Sequence, residues 1–119
     1  NSFKFVNGTN KDLEYFYKNV RAFIYTSTYE GFGIPLVEAM RSGCPIITSN
    51  GGALEEVGGS SLTYFDPFNV DEIQKKIEDL VYSDNKLIEA TIYGLKRCDN
   101  FSWANCATKT LKVYEELYN

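Results

Sequence analysis

Ala22-Phe23-Ile24-Tyr25-Thr26-Ser27-Thr28-Tyr29-Glu30-Gly31-Phe32-Gly33-Ile34-Pro35-Leu36-Val37-Glu38 decides the fold. Its first four residues are apolar without alternation, the pattern of a strand covered on both faces in a parallel sheet. Thr26 to Gly33 reads as a loop. A helix is expected from Ile34, because Pro35 suits a first turn, where a missing N–H leaves no bond unmade. Leu36, Val37 and Met40 offer it a buried face, and Ser42-Gly43 ends it. Cys44 to Thr48 then reads as the next strand, with Pro45 tolerated at its start.

The same alternation extends in both directions. Ser2 to Val6 reads as a short strand closed by Asn7-Gly8. Asn10 is expected to cap a helix with Leu13, Phe16, Tyr17 and Val20 on one face. After the second strand, Asn50-Gly51-Gly52 reads as a flexible loop and Ala53 to Val57 as one or two helical turns. Leu62 to Phe65 is a further strand, ended by Asp66-Pro67. Asn69 and Glu72 have the spacing of a capping box, ahead of a helix lined by Ile73, Ile77, Leu80 and Val81. Asp84 opens another helix to about Cys98. Ser102 caps the last, with Trp103, Ala107, Leu111, Tyr114 and Tyr118 on one face. Strands alternating with helices predict an α/β chain with a parallel sheet. In such sheets ligands bind beyond the carboxyl ends of the strands. The loops at Glu30 and at Asn50 to Gly52 therefore open on one edge.

Composition narrows the classes. The 119 residues suffice for one compact domain, and 44% hydrophobic with 15% aromatic residues can build a core. A net charge of −4 argues against a nucleic-acid surface and against docking on anionic lipid. No apolar run is long enough to span a membrane. The absence of histidine excludes a His-based triad or metal site within the chain, and no metal-ligand cluster is visible. Cys44, Cys98 and Cys106 lack CxxC spacing and read as reduced thiols. Asn7-Gly8-Thr9 and Asn100-Phe101-Ser102 are read as chance sequons.

The chemistry concentrates at Glu30 to Glu38. Gly31 and Gly33 allow positive φ and close approach of a ligand to the main chain. The N–H groups of Gly33, Ile34 and Leu36 are candidates to face an anion, and a helix start carries about half a positive charge. Glu38 can accept two hydrogen bonds from a vicinal diol, or be an ordinary first-turn acid favoured by the helix dipole. Glu30 lies where no helix needs an acid, and is otherwise a solvated loop residue.

This segment resembles the E-x7-E motif of the family 4 retaining glycosyltransferases, which have the GT-B fold. The neighbours fit in order. Ala22 to Ser27 resembles the strand before the motif, and Glu38 to Thr48 its helix and next strand. Gly51 to Val57, Phe65-Asp66-Pro67 and Phe101-Ser102-Trp103 resemble the later loop, turn and closing helix. The resemblance implies a Rossmann-like parallel sheet with flanking helices, the later part of the C-terminal half of a GT-B enzyme. It makes residues 1–119 a partial nucleotide-sugar-binding domain.

The resemblance also implies roles. Glu30 takes the catalytic position, contacting the donor sugar near the reacting carbon. The residues leave open whether it acts chemically or positions the sugar, and positioning is the reading adopted. Phe32 and Gly33 hold sugar hydroxyls through backbone N–H groups. Ile34 and Leu36 face the diphosphate, and Glu38 binds the ribose diol. The turn near Val6 and Asn7 lies beside the base. The donor is a nucleotide diphosphate sugar, the reaction retains anomeric configuration, and no cofactor or metal is needed. The acceptor is a carbohydrate or lipid-linked molecule, in polysaccharide or glycolipid synthesis. The N-terminal half of the same polypeptide, with the family's phosphate-binding Arg and Lys, is the implied partner. The chain alone is therefore expected to be inactive, with an exposed strand edge prone to self-association. The full-length protein is expected in the cytoplasm, with any membrane contact at the inner face of a membrane and made by other segments. A sugar-nucleotide-binding module without catalysis and a generic α/β interaction domain are the alternatives.

Overall fold

The computed structural model describes residues 3–60 and 62–119. Three strands, β1 (Phe23–Tyr25), β2 (Ile46–Ser49) and β3 (Thr63–Phe65), form a parallel sheet in the order β1-β2-β3. Six helices flank it: α1 (Asn10–Asn19), α2 (Ile34–Arg41), α3 (Leu54–Gly58), α4 (Val70–Val81), α5 (Asp84–Cys98) and α6 (Trp103–Tyr118). The expected Rossmann-like α/β sheet is present. Each parallel pair is joined through a helix, as parallel strands require.

Register divides the core in two. Phe23 pairs with Ile46 and Tyr25 with Thr48, on the face that packs against Tyr17 of α1, Leu36, Ala39 and Met40 of α2, and Leu54 and Val57 of α3. Ile47 and Phe65 lie on the other face, against Ile73, Ile77, Leu80 and Val81 of α4 and Leu87 and Ala90 of α5. β2 is buried along its whole length and has both faces covered. Burying a side chain such as Leu36 or Phe65 stabilises by roughly 1.5–3 kcal/mol.

Several expectations are corrected. β1 is not buried on both faces: Ile24 is 39% exposed, because α4 packs under β3 and no described helix covers Ile24. Phe3 to Val6 forms no strand; Ser2 lies outside the described residues. An extended segment needs a neighbour for its N–H and C=O groups, and Phe3 and Phe5 stand fully exposed. Thr9, not Asn10, caps α1. Its hydroxyl accepts from the Asp12 N–H while its own N–H donates to Asp12 Oδ2 at 2.7 Å, two reciprocal bonds where Asn10 offered one. Of the α1 face only Tyr17 is buried. Asn69 Oδ1 accepts from the Glu72 N–H at 3.0 Å, but Glu72 does not return a bond, so α4 has a simple cap. Ser83 caps α5.

The end of α2 is as expected. Gly43 has φ of 72°, and the Cys44 N–H reaches back to the Ala39 carbonyl at 2.9 Å. Ser102 caps α6 through the Asn105 N–H at 3.0 Å, yet α6 buries none of its residues. Cys44 and Cys98 are buried free thiols and Cys106 is an exposed one. Among the described residues no helix is long and apolar enough to cross a membrane.

Candidate functional site

Glu30 lies in the loop after β1, and the last strand residue holds it. The Tyr25 hydroxyl donates to Glu30 Oε1 at 2.6 Å. The Ser27 hydroxyl lies 2.8 Å from the same oxygen and 3.2 Å from the Tyr29 carbonyl. It has one hydrogen, and the shorter contact to the charged acceptor is the stronger. Both bonds favour the ionised form. The Tyr25 bond, then the Ser27 bond, hold the Glu30 carboxyl below the usual carboxylate range against a small opposing effect of burial. The Tyr25 phenol is correspondingly pushed up to about 12, first by that bond and then by burial. Glu30 Oε2 has no protein partner among the described residues.

The backbone of this loop is equally fixed. The Ala53 N–H donates to the Glu30 carbonyl at 2.9 Å, and the Ser49 hydroxyl donates to the Ser27 carbonyl. Gly51 and Gly52 make this possible. A Cβ at Gly51 would collide with the Thr28 carbonyl and one at Gly52 with the Glu30 carbonyl, and Gly52 has φ of +61°. Asn50 to Gly52 is therefore a buttress docked main chain to main chain, where a flexible loop was expected.

α2 begins at Gly33, whose φ of 94° and ψ of 56° place it in the left-handed region. A Cβ there would also stand 2.7 Å from Leu54 Cδ2, so glycine is needed twice over. Gly31 differs: its φ is not positive and a Cβ would meet nothing within 4 Å, so it faces open space. Among the described residues the N–H groups of Gly33 and Ile34 meet no protein acceptor. The Leu36 N–H is engaged, donating to the Gly33 carbonyl at 3.0 Å, because α2 opens with a tight first turn. The Phe32 ring turns away to meet Phe101 edge-on, with centroids 5.7 Å apart.

Glu38 is exposed while Leu36, Ala39 and Met40 around it are buried. It is the fifth residue of α2, past the first turn, so the helix-dipole explanation for an acid there does not apply. The Tyr17 hydroxyl points at its Oε2 from 3.5 Å, longer than the ~2.5–3.0 Å usual for O–H···O, so this is a weak contact. Burial, then the charge and hydrogen bond of Glu38, push the Tyr17 phenol up to about 12.

The structure thus brings Glu30, Phe32, Gly33, Ile34 and Glu38 to one edge of the sheet, as expected, with Leu36 turned inward. The Val6-Asn7 turn is exposed, and among the described residues no hydrogen bond ties it to this edge. Sequence reasoning missed Tyr17, Tyr25, Ser27 and Ser49 as partners of the acids and their loop. For Tyr25 the signal was present: it stands at the last strand position, five residues before an acid, with Ser27 between them. A recess of about 540 Å3 lined by Thr63, Lys76, Asp79, Lys86, Glu89 and Tyr93 lies by the amino end of β3, away from these loops. Its two lysines and two acids converge on no single ligand charge.

The family model described as glycosyl transferases group 1 matches residues 1–97. The chain is 42% identical over 108 residues to the O-antigen chain mannosyltransferase B of Escherichia coli, covering 91% of this chain and 28% of that protein. It is 40% identical over 94 residues to the MMP alpha-(1->4)-mannosyltransferase of Mycolicibacterium hassiacum, covering 76% of this chain and 23% of that one. The chain therefore spans less than a third of the length of these relatives. Among solved structures, sucrose-phosphate synthase from Thermosynechococcus elongatus superposes with a TM-score of 0.76 at 23% identity, over 87% of this chain and 27% of that one.

Proposed function

For this chain, which belongs to the glycosyl transferases group 1 family, we propose the donor-binding role in a retaining glycosyltransferase of the GT-B fold. The donor is a nucleotide diphosphate sugar, and residues 1–119 form part of the C-terminal half that binds it. Glu30 Oε2 meets the donor sugar, the N–H groups of Phe32 and Gly33 meet its hydroxyls, and Glu38 takes the ribose diol. The Ile34 N–H group at the start of α2 takes the diphosphate, with Leu36 contributing only as far as its bond to Gly33 allows. Charge grows on the diphosphate as the sugar leaves, so fixed N–H dipoles aimed there lower the barrier.

One observation carries this reading. The Glu30 carboxylate is tethered through a single oxygen beside a left-handed glycine that starts a helix. That arrangement presents an acceptor and an anion site side by side. The same tether favours positioning over chemistry for Glu30. A carboxylate stabilised by two donors is a weaker base and nucleophile than a free one.

The relatives named above as mannosyltransferases support a mannosyl donor, and the O-antigen relative supports a polysaccharide acceptor. The other half of the enzyme supplies the acceptor site and the basic groups that complete the diphosphate site. No cofactor or metal takes part in this scheme, so EDTA should leave donor binding unchanged. The full-length protein is placed in the cytoplasm, the compartment that supplies such donors.

The test is a protein-observed NMR titration of the full-length gene product with GDP, UDP and their sugars. Shifts should cluster at residues 31–38, and Glu38→Ala should weaken binding by about 10-fold, the loss of hydrogen bonds to a charged acceptor. Absence of any shift in that segment at millimolar ligand would overturn the reading.

A further inference from the structure

Each acid of the E-x7-E pair meets a tyrosine hydroxyl, and the two tyrosines are joined by one ring. Phe23 and Tyr25 are two apart on β1, so they point to the same face of the sheet. Their rings stack with centroids 5.7 Å apart and planes 28° from parallel. Tyr17 comes from α1 and meets the other side of this pair, edge-on to Phe23 at 5.2 Å and 85°. The result is a continuous path from Glu38 Oε2 through Tyr17, Phe23 and Tyr25 to Glu30 Oε1.

Rotamer freedom explains why this matters. An exposed glutamate side chain samples many conformers, and ordering it costs conformational entropy. A carboxylate already held by a packed phenol has lost part of that freedom before a ligand arrives. Both hydroxyls sit on rings whose positions are set by packing. Tyr17 is 6% exposed and belongs to the core, and Phe23 and Tyr25 pack against it. In each acid the described residues occupy one oxygen and leave the other free.

We infer that Tyr17, Phe23 and Tyr25 form a positioning stack that presents the two acids to different parts of one ligand. Tyr25 sets Glu30 against the donor sugar, and Tyr17 sets Glu38 against the nucleoside. This rests on the donor-site reading above. The two hydroxyls therefore have separable effects. Removing the Tyr25 hydroxyl weakens only ligands that carry the sugar. Removing the Tyr17 hydroxyl weakens the nucleoside diphosphate with or without it.

Among the described residues the groups that bear on Glu30 are few. They are Tyr25 from β1, Ser27 from its own loop, and the backbone of Gly52 and Ala53 behind it. Because Tyr25 contributes most to keeping Glu30 ionised, its loss should also move the acid limb of sugar-nucleotide binding to higher pH.

Tyr25→Phe and Tyr17→Phe each delete one hydroxyl and keep the ring. The experiment is isothermal titration of the full-length gene product with GDP-mannose, GDP, UDP-glucose and UDP, across pH 4 to 8 for the best pair. Tyr25→Phe should weaken the nucleotide sugar by about 3- to 10-fold and leave the bare diphosphate unchanged. Its acid limb should shift upward. Ser27→Ala, which frees the same oxygen, should act in the same direction and less strongly. Tyr17→Phe should weaken both ligands by one common factor of about 2- to 5-fold, smaller because its bond is long. Equal loss of both ligands in Tyr25→Phe, or an acid limb that stays in place, would assign the tyrosine a purely structural role and overturn the inference. Wild-type affinity in both variants overturns the stack alone. A wild-type protein that binds none of the four ligands overturns the donor-site reading, and the stack with it.

Discussion

α2 and α6 carry the same kind of signal and meet opposite fates. Both have a clean apolar face, and both end or begin with recognisable caps. α2 buries Leu36, Ala39 and Met40 completely, between β2, α3 and α5. α6 is twice as long, with 16 residues against 8, and buries none. Its Trp103, Leu111, Tyr114 and Tyr118 are all exposed. An amphipathic pattern states that a face favours burial; it does not state against what. For α2 the answer lies in the next strand and helix of the chain. For α6 no described residue supplies one.

The sharpest way to test this contrast is to make the same substitution in both helices. Leu36→Ala should cost about 2–5 kcal/mol in chemical denaturation, because it opens a cavity in a close-packed core. Gly52→Ala comes next. It forces a Cβ into the Glu30 carbonyl at a positive φ, and should cost about 2–3 kcal/mol while disordering the Glu30 loop, visible as lost protection of the Ala53 amide in hydrogen exchange. A wild-type-like Gly52→Ala would mean that the two loops are not docked.

A smaller effect should appear with pH. The folded state holds the Glu30 carboxyl below its unfolded value, about 4.3. A depressed carboxylate stabilises the fold above the unfolded pKa, and this contribution is lost as pH falls through the folded one. Wild-type protein should therefore lose stability below about pH 5 more steeply than Glu30→Gln. Parallel curves would show that the Tyr25 and Ser27 bonds do not persist in solution. The smallest effect belongs to α6. Leu111 is 58% exposed, and Leu111→Ala should stay within about 0.5 kcal/mol of wild type. A loss comparable to that of Leu36→Ala would show the α6 face to be packed, and the contrast would collapse.

Much of this was readable in the residues, for reasons that differ by position. Pro35, Ser42-Gly43 and Ser102 act within a few residues of themselves, so their helix ends stand where local rules put them. Ile46 and Ile47 are buried on opposite faces because β2 is central, and an unbroken apolar run says as much. The same run at Phe23 to Tyr25 misled, because burial of Ile24 depends on a helix that does not reach it. Phe3 to Val6 misled likewise, since strand propensity cannot supply a neighbouring strand. At the candidate site, Glu30, Gly33 and Glu38 announced themselves by spacing and by the family resemblance. The docking of Gly51 and Gly52 on Thr28 and Glu30 did not, because a glycine kept for close main-chain approach looks like one kept for a loose loop. The Tyr17–Glu38 contact joins residues 21 apart through tertiary packing alone.

α3 is held at its far end from a distance in sequence. Arg97 Nε donates to the Val57 carbonyl at 3.1 Å, its Nη2 to the Glu56 carbonyl at 2.7 Å, and the Tyr93 hydroxyl to the Gly58 carbonyl at 3.1 Å. The near end of α3 is where Ala53 grips Glu30. On the ribosome, Val57 and Arg97 are separated by 40 residues of further synthesis. At about 5–20 residues per second that is roughly 2 to 8 s. Throughout that interval the nascent chain holds both acids of the motif but not the side chains that anchor the far end of α3.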